Sequence, residues 1–288
     1  MGKLEGEMKV LAKKSGGSHK TVNDRIHIVQ RFGQHLRALN IQIQRVDQIK
    51  VRHIESYIQA RLAQEIGKRT LHNEMAALRS VLQQAGRKQV AGHERLTNNA
   101  LGLAGASRAG TKQAIMSEHY QSVLLAARTK DPGLAAALEL ARLMGLRSQE
   151  AVQCSQSLKT WQQALKRGDR QLHIIFGTKG GRPRDTVVLD ANAVKLAIDN
   201  ALSVSEQRTG KLIDAPDLKA AMSYWRKQAE WLGLTGIHSP HSLRYAWAQD
   251  AIQHYLTQGF SEKETLALVA MDLGHGDGRG RYVGRVYG

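Results

Sequence analysis

Four short segments carry side chains whose types and spacing suit the handling of an anion. In Gly145-Leu146-Arg147-Ser148-Gln149-Glu150 a guanidinium stands at a helix end or turn, with a carboxylate three residues on that can sit beside it or beside a neighbouring imidazole. The run Gly177-Thr178-Lys179-Gly180-Gly181-Arg182-Pro183-Arg184 sets the Lys179 ammonium among small residues, where a backbone with little side-chain bulk can press it against an anion. In Ser239-Pro240-His241-Ser242-Leu243-Arg244, Pro240 fixes the entry to a helix, so His241 and Arg244 share one face and can converge on one phosphate. The fourth segment, Leu273-Gly274-His275, is followed by Tyr282 and Tyr287. Taken singly, each has an ordinary reading as a surface ion pair, a solvated turn or a core histidine beside a capping arginine.

Other chemistries find less support. His238 and His241 could be read as a metal pair, but Cys154 is alone and no Glu-x-x-His or acidic cluster completes a site, so no metal is expected. Gly105, Gly110 and Lys112 only loosely echo a phosphate-binding loop: Thr111 stands where the lysine belongs and no strand precedes it.

The elements that must position these segments follow from periodicity. Val22, Ile26, Val29, Phe32 and Leu36, then Ile54, Ile58 and Leu62, then Leu71, Met75, Leu78 and Leu82 recur at helical spacing and predict a helical bundle over residues 1–100. Its polar faces carry Arg25, Arg31, Arg37, Arg61 and Arg79 among other bases, a bias that collectively points to DNA. Residues 101–112 read as a linker rich in Gly, Ala and Ser. Over 113–288 helical patterns recur around two β-branched runs, 172–176 and 186–189, which flank the Lys179 turn and predict a hairpin with a basic tip. The fold class is therefore mainly α with a small β-hairpin: a helical domain followed by a mixed α+β domain.

Composition sets the partner. Lys and Arg number 42 against 25 Asp and Glu, a formal charge of +17 on a chain that is 42% apolar, which describes a folded basic protein. A nucleic-acid backbone is the commonest acceptor of such a field, an anionic membrane the second. The lone Cys154 forms no internal disulfide, and the polar, Lys-rich residues 1–18 do not resemble a leader, so a reducing cytoplasm is expected. The longest apolar stretch, 134–146, is broken by Glu139 and Arg142 and does not span a membrane.

Together and in this order, the four segments resemble the tyrosine recombinases of the phage integrase family. The matches are Gly-Leu-Arg with an acid three residues on (Arg147, Glu150), the hairpin lysine (Lys179), His-x-x-Arg (His241, Arg244), Leu-Gly-His (Leu273 to His275) and a tyrosine near the end. The helical first part likewise looks like the family's core-binding domain. The resemblance implies a site-specific recombinase of a mobile element that cleaves and rejoins duplex DNA through a 3′-phosphotyrosyl intermediate, without cofactor. It also implies two domains gripping the duplex from opposite sides, a homotetramer on two DNA sites, and accessory DNA-bending proteins. Arg147 and Arg244 would clamp the phosphate, His241 accept the phenol proton, Lys179 protonate the departing 5′-oxygen, His275 bond the phosphate and Glu150 orient these groups.

The interval from His275 to a tyrosine departs from the family's pattern, so two nucleophiles compete. Tyr282 and Tyr287 stand about 140° apart around a helix, and Tyr287, preceded by aliphatic Val286, is the expected one, with Tyr282 as alternative. A type IB topoisomerase shares this chemistry, but the helical domain before residue 100 favours a recombinase. The charge makes a first prediction: affinity for duplex DNA falls steeply with salt, each phosphate contact adding about 0.9 to the log–log slope. A titration of labelled duplex at several salt concentrations checks it, and a flat response would contradict a phosphate-binding surface.

Overall fold

The computed structural model describes residues 2–107 and 109–288; Met1, and Arg108 inside the expected linker, lie outside the described residues. The chain forms two compact units, Met1–Ser107 and Arg108–Gly288.

The first unit contains α1 (Lys3–Lys14), α2 (His19–Ala38), α3 (Val51–Ala63), α4 (Lys68–Gln84) and the single turn α5 (Lys88–Ala91). The opening segment, whose polarity concealed any element, is helical because Leu4, Met8 and Ala12 recur every four residues and bury one stripe against α2 and α4. Ser18 caps α2, its hydroxyl accepting from the Thr21 amide at 3.2 Å. Leu101 and Leu103, expected in the linker, are buried in this unit's core instead.

Several arginines expected on the DNA-facing side are engaged internally. Glu74 is 1% exposed and accepts from Arg31 at 3.1 Å, from Arg61 at 2.9 Å and from the Tyr57 hydroxyl at 2.8 Å. Arg37 pairs with buried Glu5, and Arg25 donates to the carbonyls of Ala12 and Gly16. These guanidiniums hold helices together, because a buried carboxylate needs charged or hydrogen-bonding partners more than water needs the arginines.

The second unit is built around α7 (Pro132–Met144), with nine of its thirteen residues buried. Around it lie α6 (Ser117–Lys130), α8 (Ser148–Gln153), α9 (Leu158–Lys166), α10 (Ala191–Glu206), α11 (Leu218–Trp231) and α12 (His241–Thr257). Asp131 starts α7, accepting from the Gly133 amide at 2.9 Å ahead of Pro132 in the first turn. The hairpin pairs β1 (Gln171–Ile174) with β2 (Arg184–Val187), antiparallel, Ile174 opposite Arg184. Arg184, read from sequence as part of the basic tip, thus begins β2 and points inward with Thr186. A second, smaller core joins α12, α13 (Glu262–Asp272) and α14 (Gly280–Val286) through Tyr245, Trp247, Val269, Leu273, Val283 and Val286.

Removing the acceptor at the centre of the first unit has a defined cost. Burial acts to raise Glu74's pKa, but the hydrogen bonds from Arg61 and Tyr57 and the arginine charges outweigh it and hold the carboxyl below its ordinary value. Its stabilisation is therefore present above the ordinary carboxylate pKa and is lost as pH falls through the lowered one. Glu74→Ala is expected to cost about 2 kcal/mol by stranding the Tyr57 hydroxyl and two cations, and Glu74→Gln to flatten the acid side of the stability profile. Chemical denaturation across pH measures both.

Candidate active site

The C-terminal end of α7 supplies the first constraint. Gly145 closes the helix with φ of 59°, and a Cβ there would stand 2.6 Å from the Trp247 ring. Only glycine permits both the left-handed turn and the contact with α12. The chain then enters α8, whose first turn carries Glu150. The Glu150 carboxylate accepts from the Arg147 amide at 2.8 Å and from its guanidinium at 2.6 Å.

Arg147 also donates to the Leu273 carbonyl at 2.9 Å, and Arg244, fully buried one turn into α12, donates to the carbonyls of Leu273 and Gly145. Leu273 ends α13 as Gly145 ends α7. Terminal carbonyls lack intrahelical partners and carry the negative end of the helix dipole, so the end of α13 holds both arginines on one shared oxygen and the end of α7 holds Arg244 as well. Burial, then the neighbouring Arg184 and Arg147, push the Arg244 pKa down to about 9, which leaves it cationic at neutral pH. Its Nε is buried with no partner among the described residues.

Arg184 is the member that sequence reasoning missed. Its side chain is 2% exposed and donates to Glu150 at 2.8 Å, to Gly145 O at 3.2 Å and to Asp272 O. A signal existed: extending the alternation of β2 back from Thr186 puts Arg184 on the inward face. Burial, opposed by the arginine charges, leaves Glu150 with a pKa of about 2, so it stays ionised. Asp272 ties the same region together, accepting from the Val187 amide at 3.2 Å and from the Tyr255 hydroxyl at 2.8 Å.

The aromatic side is equally close. The Tyr287 hydroxyl lies 3.2 Å from His275 Nε2, and the Tyr287 ring stands 4.5 Å from that of Tyr245 and 6.5 Å from that of His241. Tyr287 is 2% exposed and Tyr282 38%, the latter's ring lying edge-on to His275 at 4.8 Å. Packing of Val283 and Val286 anchors the short α14, and Gln249 donates to the Tyr287 carbonyl at 3.1 Å. In this structure the phenol's hydrogen-bond neighbour is His275, and the His241 ring, the expected proton acceptor, stands near it without a hydrogen bond among the described residues. Lys179 is exposed, and among the described residues its ammonium has no hydrogen bond or ion pair. No group of three or more metal-ligating side chains occurs among the described residues. Nor is any helix there long and apolar enough to cross a membrane.

The described arrangement joins two cations on one acceptor, a buried phenol on an imidazole and a free ammonium on a hairpin. Comparison of the chain with family descriptions finds Integrase over residues 102–250, just over half of the chain, and Phage integrase, N-terminal, over residues 1–91. The chain belongs to the integrase family of tyrosine recombinases. The matched part contains Arg147, Glu150, Lys179, His241 and Arg244, and His275, Tyr282 and Tyr287 follow it.

Comparison with curated proteins finds no match. Among solved structures, this integrase is similar to a lambda integrase tetramer bound to a Holliday junction, at 18% identity and TM-score 0.58 over 96% of this chain and 74% of that one. It is similar to the Tn1549 transposon integrase in complex with a circular intermediate DNA, at 12% identity and TM-score 0.62 over 93% and 91%. A third similar structure is the XerH site-specific recombinase bound to a palindromic difH substrate, at 13% identity and TM-score 0.55 over 98% and 90%. At these identities the likeness establishes the fold.

Electrostatics predicts the protonation state of the imidazoles. Burial first, then Arg244 and Arg147, push His241 down to about 4 and His275 down to about 3. Both rings are therefore neutral at neutral pH. In the DNA-free protein their imidazole nitrogen shifts are expected to stay flat from about pH 8 to about pH 5, where an ordinary histidine would titrate. An NMR titration checks this, and a midpoint at the ordinary value for either ring would contradict the burial and the arginine field described here.

Proposed function

We propose that this integrase is a site-specific DNA recombinase that breaks and rejoins duplex DNA by transesterification at the Arg147–Arg244–Tyr287 site. The observation that carries the proposal is the shared oxygen: the Leu273 carbonyl accepts from Arg147 and Arg244 at once, so both guanidiniums reach one point. A phosphate with two non-bridging oxygens needs that convergence, and planar forks match its geometry.

Tyr287 Oη attacks phosphorus, the bond to the 5′-oxygen breaks, and the 3′-phosphate remains on the tyrosine. The phenol proton passes to His275 Nε2, its hydrogen-bonded neighbour, and the His241 ring stands 6.5 Å from that of Tyr287. Arg147 and Arg244 stabilise the added negative charge of the five-coordinate phosphorus. Lys179, free on the hairpin, delivers a proton to the leaving 5′-oxygen. The phosphotyrosyl ester keeps about the energy of the phosphodiester, so a second 5′-hydroxyl reverses the step without nucleotide hydrolysis. Glu150 orients Arg147. Tyr282, exposed beside His275, is the less suited nucleophile.

The N-terminal phage integrase match distinguishes this reading from the type IB topoisomerase alternative. By extension from the lambda integrase tetramer on a Holliday junction, a homotetramer on two DNA sites is the working assembly. Carriage on a mobile element, accessory DNA-bending proteins and action in the cytoplasm belong to the same proposal.

A pool of nicked duplexes of random sequence tests it. Incubation, denaturation and sequencing of the DNA that stays protein-linked is expected to yield one enriched site, and Tyr287→Phe to abolish the adduct while Tyr282→Phe retains it. On the enriched duplex, Arg147→Ala is expected to lower adduct formation by about 10²- to 10³-fold with binding kept. The reverse pattern for the two tyrosines would transfer the nucleophile to Tyr282, and no protein-linked DNA from the wild type would overturn the recombinase reading.

A further inference from the structure

We infer that Arg184 is a positioning residue for cleavage, setting the orientation of Arg147 and Arg244 through acceptors that it shares with each of them. The inference rests on the recombinase reading above and adds to it a third arginine that never touches DNA.

The connectivity is specific. Glu150 accepts from Arg184 at 2.8 Å and from Arg147 at 2.6 Å, while Gly145 O accepts from Arg184 at 3.2 Å and also from Arg244. The remaining Arg184 donor goes to Asp272 O, next to the Leu273 carbonyl that Arg147 and Arg244 share. One guanidinium thus has a link to each phosphate-binding arginine and to the strand of chain between them. With 2% side-chain exposure, it offers no donor to a ligand itself.

A plain structural ion pair would need only Glu150 and one arginine. Here the chain also makes room for Arg184 at the site: Gly274 adopts φ of 65°, and a Cβ there would stand 2.7 Å from Arg184 Cδ. The turn leading to His275 therefore rests on the Arg184 stem. The charge balance has the same consequence. Without Arg184 the Glu150 carboxylate would keep Arg147 as its only guanidinium hydrogen-bond donor, beside the Arg244 charge, which draws the Arg147 guanidinium toward the carboxylate and away from a phosphate, and the surrounding field would lose one positive charge.

Arg184→Met and Arg184→Lys on the enriched nicked duplex test this. Both variants are expected to bind the duplex as the wild type does. Outer hydrogen-bond partners of metal ligands are typically worth about 10- to 100-fold, and by analogy adduct formation by Arg184→Met is expected to fall in that range. Arg184→Lys, which keeps the charge and loses the planar fork, is expected to recover only part of it.

A second substrate separates positioning from folding. With a methylphosphonate at the cleaved position, one oxygen and its charge are replaced by methyl, so a weakened arginine field matters less and the variants' deficit relative to wild type is expected to shrink. A lower folded fraction would reduce both substrates alike. Wild-type rates in the variants, or an equal deficit on the two substrates, would overturn the inference. Failure of the wild type to cleave the phosphodiester duplex would instead overturn the recombinase reading.

Discussion

The second unit depends on one arrangement: two helix C-termini point their unpaired carbonyls at three guanidiniums that also enclose one carboxylate. Gly145 O at the end of α7 and the Asp272 and Leu273 carbonyls at the end of α13, together with Glu150, accept eight hydrogen bonds from the guanidiniums of Arg147, Arg184 and Arg244. Buried cations are costly unless fully paired. Backbone acceptors meet that cost without cancelling the charge, whereas three carboxylates would have neutralised it. One carboxylate against three guanidiniums leaves a net positive centre suited to a phosphate.

The proposed nucleophile is held by a different kind of force. Tyr287 lies just past a seven-residue helix, too short to be stable alone, and Val283 and Val286 secure it by packing against α12 and α13. The same small core contains Leu273, whose carbonyl holds the arginines, and is continued by Asp272, which ties β2 to α13 and α12. Packing of apolar side chains and placement of the reactive groups therefore share their residues. Lys179 stands apart from this packing, on the exposed hairpin, with no hydrogen bond or ion pair among the described residues.

In the first unit, charge does two jobs. Arg31 and Arg61 are drawn to buried Glu74, and Arg37 to buried Glu5, so part of the positive excess organises the bundle rather than its partner surface. The net charge remains +17 and keeps its long-range effect on a polyanion. Where a particular guanidinium points is a separate matter from how many there are.

The sequence by itself determined the chemistry and the broad architecture. Gly-Leu-Arg with its acid three residues on, His-x-x-Arg and Leu-Gly-His named five of the side chains that meet at the site, and 3.6-residue periodicity marked α2, α3 and α4, because local spacing alone decides which residues share a helix face. The tertiary structure alone decided the partners. α1 escaped notice because its stripe is three apolar residues in a polar segment, and its burial depends on α2 and α4. Arg184 read as one more base in a basic turn, since the acceptors that define it are carbonyls lying 39 and 88 residues away in the chain. The same is true of Tyr287. Spacing around a helix could separate it from Tyr282, but only the packing of α14 could bring its hydroxyl to His275, because no local pattern encodes contacts between distant backbone groups.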